Sequence, residues 1–192
     1  PTLLIGNEIA EHDNTFVAPP FVPGEIADSR SPIEQLKTSD AGLNIIKEFE
    51  SFRSNAYVDP GTGGEPITIG YGTTRYANGT KVRMGDTITE GQASAELKHH
   101  VEKIAEKDIR RYIDVPLTQS EFDALVSWVY NVGGGNLKDS TLRRVVNNGD
   151  YLQGGEELLR WNKANGKVLA GLTRRRVSER NLYLTNNPGN VT

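Results

Sequence analysis

Apolar residues recur every three or four positions in the stretch that follows Ser39. These positions are Leu43, Ile45, Ile46, Phe49 and Phe52. The spacing predicts an amphipathic α-helix, and Ser39 is a suitable N-cap for it. Glu50 then falls in the last turn, at the negative end of the helix dipole. That position disfavours the ionised carboxylate and raises its pKa, which suits a general acid.

The pattern becomes β-like after this helix. Two short apolar runs, Tyr57-Val58 and Ile67-Thr68-Ile69, flank a glycine-rich segment that begins at Asp59, and the turn Gly70-Tyr71-Gly72 follows them. Short β-favouring runs on either side of a Pro/Gly segment predict an antiparallel hairpin. Asp59 is therefore expected at the rim of the turn, in a wetter place than Glu50.

A second hairpin signal lies a few residues further on. Asn78-Gly79 stands between two short runs of alternating character, and this dipeptide strongly favours a two-residue hairpin turn. We therefore expect a small sheet of three strands over residues 56–84.

The rest of the chain has a mainly helical pattern. Two capping boxes, Thr89 with Gln92 and Thr118 with Glu121, predict the starts of two helices. The second helix is expected to stop in a loop at glycines 133–135, and Trp128 and Trp161 are expected in the core. Three shorter helices are predicted after these: one that Ser140 caps and that ends at 147–149, one over 151–161 and one over 173–184.

The two ends of the chain differ from this pattern. Residues 1–38 contain several prolines and no sustained period, and residues 1–40 carry seven acidic and two basic side chains. They predict an acidic N-terminal arm or linker, part of which lies against the catalytic domain or a neighbouring chain. Residues 39–185 are expected to form that domain and residues 186–192 a frayed tail. A chain starting near Thr38 is expected to keep its melting temperature.

Composition narrows the classes of function. The 192 residues suffice for one enzyme domain with an extension, and they include no cysteine, so disulfides and thiol chemistry are excluded. The chain shows no apolar run of about 18–20 residues and no signal-peptide pattern. His12, His99 and His100 lack the spacing of a metal site, so no metal or organic cofactor is expected. A pI of about 5.7 without a recognisable motif argues against nucleic-acid binding.

Charge is also unevenly distributed near the C-terminus. Between residues 140 and 184, nine basic side chains stand against four acidic ones. Such a face would attract a polyanionic cell wall, but the same residues could instead be solvated or paired within the protein.

The candidate chemistry lies around the first helix and the first hairpin. Two carboxylates whose environments push their pKa values apart are what glycoside cleavage needs, because one donates a proton while the other works from the opposite face of the sugar. Glu50 and Asp59 fit these two roles. Glu48 lies about 200° around the helix from Glu50 and cannot face the same cleft.

Glu50, Asp59 and Thr68, in this order, resemble the catalytic triad of the phage-type lysozymes, the endolysin family of muramidases. Later strings resemble further family landmarks in the expected order: Trp128-Val-Tyr130-Asn131-Val-Gly133, Asp139-Ser140-Thr141-Leu142, Arg160-Trp161-Asn162 and residues 166–180. The chain departs from the family pattern twice. Its turn between Asp59 and Thr68 is three residues longer than usual, and Thr73 stands where the family commonly has histidine.

The resemblance implies an α+β, lysozyme-like two-lobed fold, with a small antiparallel sheet lobe, a helical lobe and an extended N-terminal arm. It implies an inverting muramidase that cleaves the β-1,4 bond between N-acetylmuramic acid and N-acetylglucosamine, for cell lysis or wall penetration. Glu50 would be the acid, Asp59 the base and Thr68 the residue that holds the attacking water. Tyr71, Tyr130, Asn131 and Ser140 resemble substrate-binding positions, although Tyr130 could equally be a core residue and Ser140 a helix cap.

Two alternatives to hydrolysis remain at this point: a lytic transglycosylase, or a non-catalytic murein-binding module of a virus particle. The expected partner is peptidoglycan, with a holin-dependent release route or a virion tail component that the arm contacts. No nucleic acid and no membrane span are expected, and the protein is expected to be monomeric. It would act on the bacterial cell wall, in the periplasm, after synthesis in the host cytoplasm or delivery in the virion.

Overall fold

The computed structural model describes residues 9–10, 29–58 and 64–185. Helices are α1 (Asp40–Glu50), α2 (Glu90–His100), α3 (Glu106–Tyr112), α4 (Gln119–Val132), α5 (Gly134–Asp139), α6 (Thr141–Asn147), α7 (Tyr151–Leu158) and α8 (Ala170–Leu184). Strands are β1 (Ile9–Ala10), β2 (Arg53–Val58), β3 (Ile67–Gly70), β4 (Lys163–Ala164) and β5 (Lys167–Val168). The predicted α+β class is confirmed. Asp59, most of the N-terminal arm and residues 186–192 lie outside the described residues.

Helix α1 forms where the apolar period predicted it. The Ser39 hydroxyl accepts a hydrogen bond from the backbone N–H of Ala41 at 3.2 Å, which confirms the N-cap. Leu43 and Ile46 lie on the buried face. Since Glu50 follows Ile46 by four residues, it lies on that face as well, whereas Glu48 is exposed.

The small lobe contains one hairpin rather than three strands. Strands β2 and β3 pair antiparallel, with Tyr57 opposite Thr68. The prediction of a third strand is wrong. Residues 74–88 form only isolated bridges, one of which joins Arg75 to Lys81 around the predicted Asn78-Gly79 turn. The segment is mostly polar and has positive-φ glycines at 79 and 85, so it lacks the alternating apolar side chains that a continuous strand buries.

A single long helical segment leads from the small lobe to the helical lobe. The capping box of Thr89 and Gln92 opens α2 as predicted, and α2 continues without a break through a π-helical turn (Val101–Ala105) into α3. Its buried apolar residues recur every four positions: Ala93, Leu97, Val101, Ala105 and Ile109. An α-helix has 3.6 residues per turn, so side chains spaced by four residues shift progressively around its surface. The wider π turn offsets part of that shift.

Helix α4 is the centre of the helical lobe. Almost all of its residues are buried, and it packs against α1 and α8. The rings of Trp128 and Trp161 meet edge to face with centroids 5.0 Å apart, and both are buried, which confirms their predicted place in the core.

Three predictions about the helical lobe need correction. Gly133, with φ of 86°, ends α4 as expected, but a helix, α5, begins at the next residue in place of the predicted loop. A β-carbon on Gly134 would lie only 2.1 Å from Asp108 Oδ2, so the close approach of α3 explains this glycine. Helix α7 ends three residues earlier than predicted, and α8 starts three residues earlier, with the unpredicted β4–β5 hairpin between them.

Residues 29–38, which the sequence assigned to the arm, pack against the helical lobe. Arg30 forms an ion pair with the buried Glu121 at 2.7 Å, and Ser31 makes a backbone bridge to Leu117. Ile33 and Leu36 are part of the core. Further upstream, β1 pairs with β4. Within the described residues, no helix is both long enough and apolar enough to cross a membrane.

These contacts replace the expectation that residues up to 38 can be removed without effect. A chain that starts at Ser39 loses two buried apolar side chains and the Arg30–Glu121 pair. We expect its free energy of unfolding to fall by about 3 kcal/mol or more, which corresponds to about 6–12 °C at this chain length. Thermal and urea unfolding would measure the change. A chain that starts at Ser29 is the matched control, and equal melting temperatures for the two would contradict the prediction.

Candidate active site

The carboxyl group of Glu50 is enclosed by protein. The residue is 2% exposed. Its Oε1 accepts a hydrogen bond from Arg175 Nη1 at 2.7 Å, whereas Oε2 is buried and has no hydrogen-bond partner in the described part of the chain. One oxygen thus fixes the orientation of the carboxyl group, and the other remains available.

Arg175 also donates hydrogen bonds to two groups other than Glu50. Its Nε donates to Glu179 Oε1 at 3.0 Å, and its Nη2 donates to the backbone carbonyl of Ser127 at 3.2 Å. The side chain is fully buried. The positive charge of Arg175 is therefore shared between two carboxylates, and neither receives its full effect.

A second arginine completes the group. Arg176 is also fully buried and pairs with Glu179, with its Nε 2.8 Å from Oε2. Its Nη2 donates to Asn131 Oδ1 at 2.9 Å. We call Glu50, Glu179, Arg175 and Arg176 the buried charge cluster; its charges balance when all four groups are ionised. Of the alternatives left open for the basic residues near the C-terminus, pairing within the protein applies to Arg175 and Arg176, which lie inside it.

The cluster sets the protonation of Glu50. Burial raises the pKa of Glu50, and Arg175 opposes that rise through its charge and hydrogen bond. Burial prevails because Arg175 is shared and Oε2 is unpartnered. Burial also lowers the pKa of Arg176 to about 10, against the opposing charge of Glu179. Arg176 thus remains charged at neutral pH, and the environment of Glu50 favours the protonated acid.

Of the other two members of the predicted triad, only Thr68 lies within the described residues, in the small lobe. Thr68 is 3% exposed on β3, directly opposite Tyr57. Asp59 lies outside the described residues, two positions after Tyr57 in the sequence. The grouping of Glu50, Asp59 and Thr68 in one site stays a prediction.

Two tyrosines connect the lobes next to the acid. The Tyr130 hydroxyl donates to the backbone carbonyl of Tyr71 at 2.9 Å, and the Tyr71 hydroxyl donates to Glu90 Oε1 at 2.9 Å. Burial raises the pKa of Tyr130, and the negative charge of Glu50 raises it further when that acid is ionised. The Tyr71 ring is largely buried and packs against Phe52. Sugar binding by either tyrosine stays a prediction.

Asn131 and Ser140 have well-defined places. Since Asn131 Oδ1 accepts from Arg176, its Nδ2 must point the other way, where it is buried without a partner in the described residues. The buried Ser140 hydroxyl accepts from the Arg143 backbone N–H at 3.0 Å and donates to the carbonyl of Leu137 at 2.9 Å. This confirms Ser140 as the cap of α6, while substrate binding by both residues stays a prediction.

A cavity of about 240 Å³ adjoins these residues. Gly72 lines it from the small lobe, His100 and Ile104 from the connecting helix, and Tyr130 and Asn131 from α4. It is therefore located where the two lobes and the helix between them meet. The described residues include no group of three or more histidine, aspartate or glutamate side chains that could hold a metal ion.

Sequence reasoning missed the buried charge cluster. The string from 166 to 180 was matched as a landmark, but Arg175, Arg176 and Glu179 received no role. A signal was present, since Glu179 follows the two arginines at the i+4 and i+3 positions that pair on a helix. The link from Arg175 to Glu50 spans 125 residues, and no local pattern reveals it.

Comparison with known proteins places these features in a wider context. A sequence model of the family described as phage lysozyme matches residues 47–179. An endolysin of Bacillus phage B103 is 42% identical over 157 residues, which cover 82% of this chain and 57% of that protein. The chain thus spans little more than half the length of this relative.

Solved structures are similar as well. An endolysin from the Escherichia coli O157:H7 phage FAHEc1 is 39% identical, with a TM-score of 0.70 over 81% of this chain and 96% of that one. The muramidase domain of SpmX from Asticaccaulis excentricus is 35% identical, with a TM-score of 0.68 over 79% of this chain and 99% of that one.

The buried carboxyl of Glu50 predicts a pH-dependent effect of Glu50→Gln on stability. Burial holds the pKa of Glu50 above its unfolded value. The stability that this group contributes is therefore complete below the unfolded pKa and is lost as pH rises through the folded pKa. Glutamine does not titrate, so the free energy of unfolding of Glu50→Gln should increase relative to the wild type as pH rises from about 4 to 8.

Urea unfolding at several pH values measures this difference. Glu48→Gln, the same substitution at an exposed position of α1, controls for the loss of an acid from this helix. If the stability of Glu50→Gln instead fell relative to the wild type as pH rose, Arg175 would be holding the pKa of Glu50 down, contrary to our interpretation.

Proposed function

Because this chain belongs to the phage lysozyme family, we propose that it is a peptidoglycan hydrolase, a muramidase that cleaves the β-1,4 bond between N-acetylmuramic acid and N-acetylglucosamine. The observation that carries the proposal is the state of Glu50. It is a buried carboxyl with one oxygen held by Arg175, a second oxygen unpartnered, and a raised pKa.

Such a carboxyl is suited to general acid catalysis. A glycosidic oxygen is a poor leaving group until it receives a proton, and a carboxylic acid whose pKa is raised toward the working pH supplies one. Arg175 fixes Oε1, so Oε2 is the atom that would donate the proton. After transfer, the guanidinium of Arg175 stabilises the carboxylate that forms. General acid catalysis of this kind contributes about 10²- to 10⁴-fold to the rate.

Hydrolysis also needs an activated water. We assign Asp59 as the base that deprotonates the water and Thr68 as the hydroxyl that holds it from a second side. This is supported by the β2–β3 register, which puts Thr68 opposite Tyr57, two residues before Asp59. An inverting reaction requires the two carboxyl groups about 6.5–9.5 Å apart, so that the water fits between them.

Substrate binding in this proposal involves the residues around the acid. Tyr130 lines the cavity between the lobes, and Asn131 directs a fixed amide donor away from Arg176. Tyr71 and Ser140 have their hydroxyl groups engaged within the protein. They would therefore contribute to sugar binding mainly by shaping the site.

The relatives support the same substrate. The muramidase domain of SpmX and the endolysins of Bacillus phage B103 and Salmonella phage P22 are 35–42% identical to this chain. We propose that this protein acts on the peptidoglycan of the bacterial cell wall as a monomer. It would reach the wall by a holin-dependent route or through a virion tail component bound by the arm.

Mass spectrometry of muropeptides released from purified peptidoglycan tests the reaction and the acid together. Wild type should release products with reducing N-acetylmuramic acid ends. Glu50→Gln retains the shape of the side chain but has no proton to transfer, so release should fall by about 100-fold or more. Glu48→Gln, two residues away on the exposed face, should release products at the wild-type rate.

The products also separate the alternatives. Ends with a 1,6-anhydro bond would identify a lytic transglycosylase, which uses an acid but no water. If the wild type bound peptidoglycan and released nothing, the protein would be a binding module.

Thr68→Val tests the proposed water-holding hydroxyl. Valine has nearly the shape of threonine, so the loss of one hydrogen bond to the water should lower kcat about tenfold and leave KM nearly unchanged. The matched control is Thr73→Val, since Thr73 is equally buried in the small lobe, at 3% exposed. Steady-state kinetics on peptidoglycan would measure both. An equal loss in the two variants would indicate a packing defect and would contradict the assigned role.

A further inference from the structure

Glu179 is the member of the buried charge cluster to which the reaction proposed above assigns no part. It lies on α8 and is fully buried. Its Oε1 accepts hydrogen bonds from three donors: the Ser127 hydroxyl at 2.7 Å, Arg175 Nε at 3.0 Å and Arg176 Nη2 at 3.1 Å. Two guanidinium groups and a hydroxyl thus meet at one carboxylate oxygen, and hydrogen bonds between charged groups are the strongest that side chains form.

The contact with Glu179 determines how Arg175 meets Glu50. A guanidinium often holds a carboxylate through two parallel N–H bonds, one to each oxygen, and this fork favours the ionised carboxylate. Here Glu179 accepts from Nε and the Ser127 carbonyl accepts from Nη2. Glu50 receives one bond, from Nη1 to Oε1 at 2.7 Å. Its Oε2 has no hydrogen-bond partner in the part of the chain that the structure describes.

The charge of Glu179 acts in the same direction as this geometry. When Glu50 is protonated, the rest of the cluster holds two positive charges and one negative charge. Without Glu179 the negative charge would be missing, and ionisation of Glu50 would replace it. Burial is the largest cause that raises the pKa of Glu50, and Arg175 opposes it. Glu179 raises that pKa further, and by more than Arg176 lowers it.

Other titratable groups near α1 do not obscure this effect. Helix α1 packs against α4 and α8. On α4, the Tyr130 phenol interacts electrostatically with Glu50, but burial raises its pKa, so it stays uncharged at neutral pH. On α1 itself, Glu48 is exposed. Asp59, the assigned base, lies outside the described residues and is retained in every variant below. A difference between variants at position 179 therefore reports the charge at that position.

We propose that Glu179 is a positioning residue for the general acid: it holds Nε of Arg175, limits that arginine to one hydrogen bond on Glu50, and leaves Oε2 to carry the proton. The proposal rests on the role of Glu50 proposed above. In the reaction, Oε2 gives its proton to the glycosidic oxygen, and Arg175 remains bound at Oε1 of the carboxylate that forms. Glu50 regains a proton from solvent after the products leave.

The pH profile of kcat/KM on purified peptidoglycan tests this role. Activity requires the protonated acid, so the alkaline limb of the profile follows the pKa of Glu50. Glu179→Gln retains the size of the side chain but removes its charge, so the limb should move to lower pH. We expect kcat/KM to fall about tenfold at pH 7 and to stay within about twofold of wild type at pH 5. A packing defect alone would lower the rate at both pH values.

Two control variants accompany this measurement. Glu179→Asp retains the negative charge and should recover most of the alkaline limb. Glu157→Gln removes the acid of another buried ion pair in the helical lobe, the pair with Arg160 at 2.9 Å. Its alkaline limb should remain at the wild-type pH.

A double variant covers the case in which Glu179→Gln does not fold. Glu179→Gln combined with Arg176→Gln removes a whole buried ion pair, which proteins tolerate better than the loss of one partner. Arg175 is then no longer shared with a second carboxylate. Because Glu179 influences Glu50 more than Arg176 does, the alkaline limb should again move to lower pH, by less than in the single variant.

NMR measures the same effect without substrate. The carboxyl carbon of Glu50, followed by carbon-13 NMR as pH is changed, should titrate at lower pH in Glu179→Gln than in wild type. In Glu179→Asp it should titrate near the wild-type pH. A titration of Glu50 at an unchanged or higher pH in Glu179→Gln, or in the double variant where the single one does not fold, would overturn the inference while leaving the muramidase function intact. The expected shift in a protein that releases no muropeptides would instead contradict the reaction and keep the effect of Glu179 on Glu50.

Discussion

Arg175 donates hydrogen bonds to groups on three different helices: the Glu50 carboxyl of α1, the Ser127 carbonyl of α4 and the Glu179 carboxylate of α8. These helices form the body of the helical lobe, and the acid is positioned where they meet. Removing one member of a buried ion pair typically costs about 3–5 kcal/mol. The geometry of the site and the packing of the lobe therefore depend on the same guanidinium group.

General acid catalysis by Glu50 requires that Arg175 stabilise the ionised carboxylate only in part. If Arg175 bonded to Glu50 alone, its charge would favour the carboxylate and the group would lose its proton. Arg175 also donates to Glu179 Oε1 at 3.0 Å and to the Ser127 backbone carbonyl at 3.2 Å, so only part of its hydrogen-bonding capacity serves Glu50. Arg176 then balances the second carboxylate. Glu179 and the two arginines thus hold the acid in place while leaving it protonated, at some expense in stability.

Sequence patterns predicted those features that depend on interactions between residues close together in the chain. The period of α1, the Ser39 cap and the place of Glu50 in the last turn follow from spacing within a dozen residues, and both capping boxes formed as expected. What the sequence did not predict depends on contacts between distant segments. Arg175 binds Glu50, which is 125 residues away in the sequence. Arg30, which the sequence pattern assigned to the arm, forms an ion pair with Glu121. Helix α5 begins in a glycine triplet because α3 approaches too closely for a side chain.

The connecting helix shows how a sequence period can shape a site. Its buried apolar residues keep a spacing of four from Ala93 to Ile109, and each step of four shifts by about 40° around an α-helix. A continuous α-helix would carry the later residues of that stripe out of the core. A π turn, with about 4.4 residues per turn, returns them to it. Within that turn, Ile104 is 51% exposed and lines the cavity between the lobes together with Asn131. The helix whose spacing joins the two lobes therefore also forms one wall of the cavity where they meet.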